Sequence, residues 1–422
     1  MGHIVFCDGF DHLSTTELWL NLKWTAYGGA PVLTAGAGRR STQALVAPNG
    51  ASNGCWVAKT LPADPSWGIS VAFKPSVLPE TDHTRSLIAL LDDVFLQVEL
   101  AWNDLGQLVA RHGDGTVLAT AAGGPTTGTF RSLEWQAVIG HAYTQDLVAS
   151  AVDEVWGFTR ASGDFTTESL AVGQVVYVSG FTLPANNGAH VITAIAALVL
   201  SVADVLATEI GTDITYGVGM VRARLDQAVV LEALGVETQN SANAAADTVR
   251  LGPTDDEEST TYTWDDLVVQ QGATLQLIGD VAVDACYPTG NATISGWTGG
   301  YDLIDDLIPD SDSTVMTGQG VGLQSTVAIE SIPTTTGSGI HALVLNLMAR
   351  ADVEAEAALA GLVIGHEMVG VVMVEVPGSL SAVSLQTSYQ VSQHVSDTDP
   401  GTGEAWTQGW ADLAAWGVEI VA

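Results

Sequence analysis

Lysine is nearly missing from this chain: 422 residues contain three, Lys23, Lys59 and Lys74, all near the start. Ten arginines join them against 48 acidic side chains, for a formal net charge of −35. A surface of that sign repels phosphate backbones and anionic headgroups, which argues against nucleic acid and membrane surfaces as partners. Dissolved ions screen the self-repulsion, so the plain meaning of the charge is solubility in a salty medium. Cysteine is equally scarce. Cys7, Cys55 and Cys286 are odd in number and far apart, giving neither a disulfide framework nor a metal-binding spacing, and read as small buried apolar residues. No run approaches the ~18 apolar residues of a membrane span, so no membrane insertion is expected. The first residues lack the charged-then-apolar pattern of a secretory signal, which leads to the expectation of synthesis in a cytoplasm.

Hydrophobic residues make up 47% of the chain and charged ones 14%, the composition of a globular protein with room for two or three domains. Residues 5–24 open with an alternating apolar segment, Ile4, Phe6 and Phe10, broken at Asp8-Gly9, which predicts a strand with a bend. A helix is predicted next: Ser14 can cap it, Glu17 completes a capping box, and Leu13 and Leu18 suit a hydrophobic staple. From residue 40 to 140, short alternating segments recur about every ten residues between Gly- and Asp-rich turns, such as Trp67 to Phe73 and Arg131 to Ile139. That spacing predicts an antiparallel sandwich or barrel. The pattern shifts near residue 143 and resumes at Val221, ending in Thr263-Trp264-Asp265-Asp266-Leu267-Val268-Val269.

The expected organisation is therefore a β-sandwich of residues 1–142 and 218–273, a small inserted β domain of 143–217, and a C-terminal β domain of 274–422. In the last part, Ala-rich 351–360 suits either a helix or a hairpin, and Thr407 leads a short turn of helix into a final strand.

The opening DGFDH, the strand EWQAV and the closing TWDDLVV resemble those of tailed-bacteriophage virion proteins built on a concanavalin A-like, lectin-type sandwich. GDVAVDACYPTG and YDLIDDLIPDSDS in the C-terminal part, and the inserted LAVGQVVYVSGF, are similar to modules of such proteins. This chain departs from the usual DGFDHY by having Leu13. The resemblance implies an all-β fold: a concanavalin A-like jelly-roll sandwich with an inserted small β domain and a C-terminal β-sandwich domain. It also implies that the first strand lies beside residues 263–269, since an unpaired edge invites aggregation. As function it implies a non-enzymatic structural component of the virion, tail- or fibre-associated, assembling as a homo-oligomer with other virion proteins. A capsid-decoration role or a glycan-binding, receptor-binding role on host surface glycans is the alternative.

Motifs for chemistry are few. A retaining glycosidase needs paired carboxylates on one strand face, and no Glu-x-Asp-x-x-Glu occurs. Asp255-Asp256-Glu257-Glu258 reads as a solvated turn. Asp302, Asp305, Asp306, Asp310 and Asp312 could supply the oxygens calcium wants, although the EF-hand pattern fails. Asp8, Asp11 and His12 read as side chains bonding turn amides. Trp102, Trp297 and Trp406 adjoin turn residues and are the candidates for stacking on sugar faces, against which stands the commoner reading of core or subunit packing.

Overall fold

The computed structural model describes residues 2–11, 23–40, 42–48, 54–152, 155–255, 260–294, 296–304, 315–332, 339–351, 358–369 and 372–421. The predicted helix after Ser14 and residue His12 lie outside these.

Two stacked antiparallel sheets form the main body. The eight-stranded sheet runs Ala228–Leu234, Met220–Leu225, Arg131–Val138, Ser66–Pro75, Tyr262–Gln271, Ala44–Ala47 and Val32–Thr34, with His3–Asp8 also paired to Tyr262–Gln271. The seven-stranded sheet runs Val117–Thr120, Leu108–His112, Phe95–Asn103, Thr84–Asp92, Ala246–Leu251, Trp56–Asp64 and Ala26–Gly28. The period-2 pattern explains the stacking. In Ser66–Pro75, Trp67, Ile69, Val71 and Phe73 enter the shared core, which leaves Ser70 and Lys74 on the outer face. Trp24, Trp67, Trp102, Trp135 and Trp264 are all fully buried in that core, and Phe73 packs against Trp102, Tyr262 and Trp264.

The first strand closes the sheet where expected. Phe6 pairs with Val269, Cys7 with Val268 and Asp8 with Leu267. Its other edge is capped at Cys7 by a side chain: Gln393 accepts from the Cys7 N–H and donates to the Cys7 carbonyl, both at 2.8 Å. One carboxamide thus satisfies a donor and an acceptor that an edge strand would otherwise offer to another chain. Asp8 folds back into the turn and accepts from the Phe10 amide, the turn chemistry expected of it.

Arg131–Val138 and Met220–Leu225 are neighbours in the sheet, and the chain between them forms a closed barrel. Its strands are Ala142–Val152, Val155–Thr159, Val199–Val202, Gly188–Ala196, Val175–Ser179 and Glu209–Gly217, packed around Leu147, Phe158, Phe165, Ile192 and Ile214. The C-terminal part holds a five-stranded sheet and two strand pairs, Trp297–Thr298 with Thr317–Gly318 and Leu343–Ala349 with Gln390–Ser396. Thr407 caps the short helix Gln408–Ala411 by accepting from the Trp410 amide, and Trp406 packs on Trp416 behind it. Of the Ala-rich stretch, 358–360 belong to strand Ala358–Val369, and 352–357 lie outside the described residues.

Candidate functional site

A sandwich offers a ligand two outer faces, and here they are treated differently. The eight-stranded sheet is covered by the chain's own continuation. After Tyr262–Gln271, residues 274–284 run back across it as a strap. Gln276 donates its amide to Gln270 and receives Gln136 Nε2 on its carbonyl; Ser70 Oγ donates to Gly279 O at 2.9 Å; the Val283 amide reaches Asp266 Oδ1 at 2.7 Å. Ile278, Val281 and Val283 pack on Cys7 and Val268. The approach is close enough that a Cβ on Gly9 would meet the Val283 carbonyl oxygen at 2.4 Å, which requires glycine there.

An acidic cluster pins the far end of this strap. A register shift in Tyr262–Gln271, with Asp266 at φ 52°, sets Asp265 and Asp266 side by side. Arg39 bridges Asp266 to Asp280 and to the Val281 carbonyl, and Arg40 reaches Asp284 at 2.8 Å. With Asp11 nearby, five carboxylates face two guanidiniums. Burial, with Asp265 beside it, pushes Asp266 up to about 6. Burial likewise lifts Asp11 to about 6 and raises Asp265, and it raises Glu134 under the strap.

A carboxyl raised in the fold holds its proton where the unfolded chain has released it. Its contribution to stability is complete below about 4 and lost as pH rises through about 6. His394, lowered by burial, opposes this over part of the same window, but singly. The denaturation midpoint is therefore expected to be higher at pH 5 than at pH 7.5 in matched salt. An equal or lower midpoint at pH 5 would refute the burial of these carboxylates.

None of the bonds that hold the strap reaches the seven-stranded sheet, whose outer face is built differently. Arg250, Ala89, Glu99 and Arg111 are in cross-strand register on four adjacent strands. Alternation puts them outward, because Val249, Leu251, Val98, Leu100, Leu108 and Ala110 fill the core. Arg111 Nη2 lies 2.5 Å from Glu99 Oε1, and Glu99 is 5% exposed. Burial lowers Arg250 from the usual guanidinium range, against the attraction of Glu99 and then Asp255.

Two guanidiniums thus flank one carboxylate and leave a local positive excess on a very acidic protein. Among the described residues, the Nε atoms of Arg111 and Arg250 are buried and meet no hydrogen-bond acceptor. Gln97, fully buried one step along the same face, spends its Oε1 on the Asn240 amide and leaves Nε2 without an acceptor. Buried donors without acceptors are costly, which sets this face apart. Asp255 stands at the edge of this group, 3.9 Å from Arg85 Nη1.

Sequence reasoning singled out none of Arg85, Glu99, Arg111 or Arg250. The available signal was arginine at outward positions of apolar-alternating strands, as in LVARH and DTVRL, in a chain with so few cations.

The residues it did single out fall elsewhere. Trp102 is fully buried in the main core and Trp406 is 3% exposed against Trp416, so neither presents a ring face to a sugar. Trp297 is half-buried, packed over Gly318. The surface role is corrected on that ground for Trp102 and Trp406, and not for Trp297. Asp302 is exposed in the turn Tyr301–Leu303, while Asp305, Asp306, Asp310 and Asp312 lie outside the described residues. Among the described residues no three His, Cys, Asp or Glu are grouped to hold a metal ion. Of the Asp255–Glu258 run only Asp255 is described.

The architecture defines an all-β protein of concanavalin A-like jelly-roll type, with an inserted small β domain and a C-terminal β domain. No protein-family model matches the chain, and no curated protein does. Among solved structures it is similar to the alginate lyase Aly36B, at 8% identity and a TM-score of 0.35 over 65% of this chain and 98% of that one. It is similar also to an endo-beta-1,4-glucuronan lyase from the fungus Trichoderma reesei, at 9% identity and a TM-score of 0.32 over 59% and 91%. A third is the cellulose induced protein Cip1, at 10% identity and a TM-score of 0.31 over 58% and 87%. At such identity, and with TM-scores below 0.5, these likenesses give the chain neither a family nor a role. Two expectations are corrected by what was matched: the titles are those of two lyases and a cellulose-induced protein, and none is of a virion protein. The reading as a phage structural component is withdrawn, and with it the reading as a non-enzyme.

Proposed function

We propose that the chain binds an anionic polysaccharide, one rich in uronic acid, across the outer face of its seven-stranded sheet. The observation that carries this is the row Arg250–Ala89–Glu99–Arg111, in which Nε of both arginines meets no acceptor among the described residues. Guanidiniums pair with carboxylates in a planar, two-pronged geometry that suits uronates better than neutral hexoses. Glu99, held in place by Arg111, is free to accept a sugar hydroxyl on its other oxygen.

The net charge of −35 speaks against a polyanion at long range. That repulsion is screened beyond about 10 Å at 0.1 M salt, whereas contacts within the row are shorter than the screening length. Binding should accordingly pass through a maximum as salt rises, because repulsion is screened first and the arginine contacts later.

Affinity electrophoresis in gels containing polygalacturonate or a neutral β-glucan, near 0.15 M salt, tests the reading. Retardation is expected with polygalacturonate alone. Arg250→Ala should weaken it by about tenfold or more, within the range of one hydrogen bond to a charged group. Equal retardation of wild type and the Arg111→Ala/Arg250→Ala pair would remove the proposal.

A further inference from the structure

The row on the seven-stranded sheet has a second acidic neighbour, and it differs in kind from the first. Glu99 is buried, lies in the middle of a strand and is 2.5 Å from Arg111. It belongs to the permanent structure of the face. Asp255 has a side chain 72% exposed and is 3.9 Å from the Arg85 guanidinium.

The backbone fixes where Asp255 stands. Gly252 donates its amide to Leu87 O at 2.9 Å, and Cys55 donates to Pro253 O at 2.9 Å. The chain leaving Ala246–Leu251 is thereby tied down two residues before Asp255, and five after Arg250 the carboxylate stands beside Arg85 on the neighbouring strand. Arg250 and Arg85 share it electrostatically, and for Arg250 it supplements Glu99 against the cost of burial. At that distance, and with its acidic member open to water, the pair holds weakly.

We propose that Asp255 is an exchangeable counter-ion of the arginine face, one that an incoming uronate carboxylate displaces. This rests on the reading of that face as a polyuronate site and concerns its regulation. The buried Glu99 tunes the face, while Asp255 competes with the ligand for the same cations. A weak tethered competitor sets a threshold: short or sparsely charged glycans displace it poorly, and densely charged ones displace it readily, because each added carboxylate contact raises the ligand's share.

The test compares polygalacturonate binding by the full chain with that of three variants at one salt concentration. Asp255→Asn removes the competitor, and Asp213→Asn removes one exposed charge on the barrel, where asparagine tolerates the positive φ of 53°. Arg250→Ala removes part of the site itself. Asp255→Asn is expected to tighten binding by about two- to fivefold, the strength of a surface ion pair, with Asp213→Asn unchanged. Equal tightening in both aspartate variants would make the effect one of overall charge and overturn the inference. So would weaker binding in Asp255→Asn. In either case, loss of binding in Arg250→Ala would leave the reading of the face intact. If wild type and all variants fail to bind, or Arg250→Ala binds as well as wild type, the reading itself fails and the inference with it.

Discussion

Asp8→Ala is expected to cost the sandwich about 3–5 kcal/mol, the usual loss when one partner of a buried ion pair is removed. Asp8 is fully buried and does three things at once. Its Oδ1 accepts the Phe10 amide at 2.8 Å and lies 3.2 Å from the Lys23 ammonium, and its Oδ2 accepts Trp24 Nε1 at 3.0 Å. Lys23 is itself 1% exposed. Lys59 crowds the same spot: its amine donates to the Lys23 carbonyl and sits 5.3 Å from the Phe6 ring, and burial together with Lys23 lowers it. Two of the chain's three lysines therefore lie within the field of this carboxylate, and its loss removes an attraction that offsets the burial of both. Asp8→Asn keeps acceptors for Trp24 and Phe10 and should lose less. Urea denaturation followed by tryptophan fluorescence measures both. Since whole-domain stability is only about 5–15 kcal/mol, the alanine variant should unfold at a much lower urea concentration. A loss below about 1 kcal/mol would mean that Lys23 escapes to water and that the pair holds nothing together.

How much of this was legible in the sequence depends on the range of the signal. The sandwich was legible because strand alternation is local. Trp67, Ile69, Val71 and Phe73 declare an inward face by themselves, and the cap at Thr407 and the Asp8 turn are likewise written in a few residues. The pairing of the first strand with Tyr262–Gln271 was legible only through resemblance. That resemblance misled about role for a physical reason. DGFDH begins on the last residue of strand His3–Asp8 and TWDDLVV lies within Tyr262–Gln271, the two strands that pair to close the sheet, so both mark closure, which any sandwich of this type needs whatever it binds.

Trp102 was misplaced because the turn at Asn103-Asp104 was weighed above register. In FLQVELAWN it falls in step with Val98 and Leu100 and must point inward. The arginine face was illegible for a different reason. Its members come from Phe95–Asn103, Leu108–His112 and Ala246–Leu251, and only the order of strands across the sheet makes Arg250 and Arg111 flank Glu99.

The barrel should melt on its own when its central cation is removed. Arg160 has a side chain 1% exposed, and its Nη1 donates to Glu168 at 2.5 Å, to Tyr216 Oη at 3.0 Å and to Gln145 at 3.4 Å. Its guanidinium carbon lies 3.8 Å from the centre of the Phe165 ring. Tyr216 in turn donates to Glu168, and burial next to that carboxylate holds the phenol well above its ordinary value. Arg160→Ala would leave Glu168 with the tyrosine alone, at an expected cost of about 3–5 kcal/mol. Lysine should not restore it, since an ammonium has neither the planar face for Phe165 nor the fork that serves three acceptors. The barrel leaves the sandwich between two hydrogen-bonded neighbours, Arg131–Val138 and Met220–Leu225, so its ends stay together when it opens. Amide exchange at Phe158 and Leu200, register partners on neighbouring barrel strands, should then become fast. Trp135 and Ala223, paired in the sandwich, should stay protected, and polygalacturonate binding through Arg250 should persist. Joint loss of protection at both places would show instead that barrel and sandwich fold as one unit, with Arg160 a keystone of the whole chain.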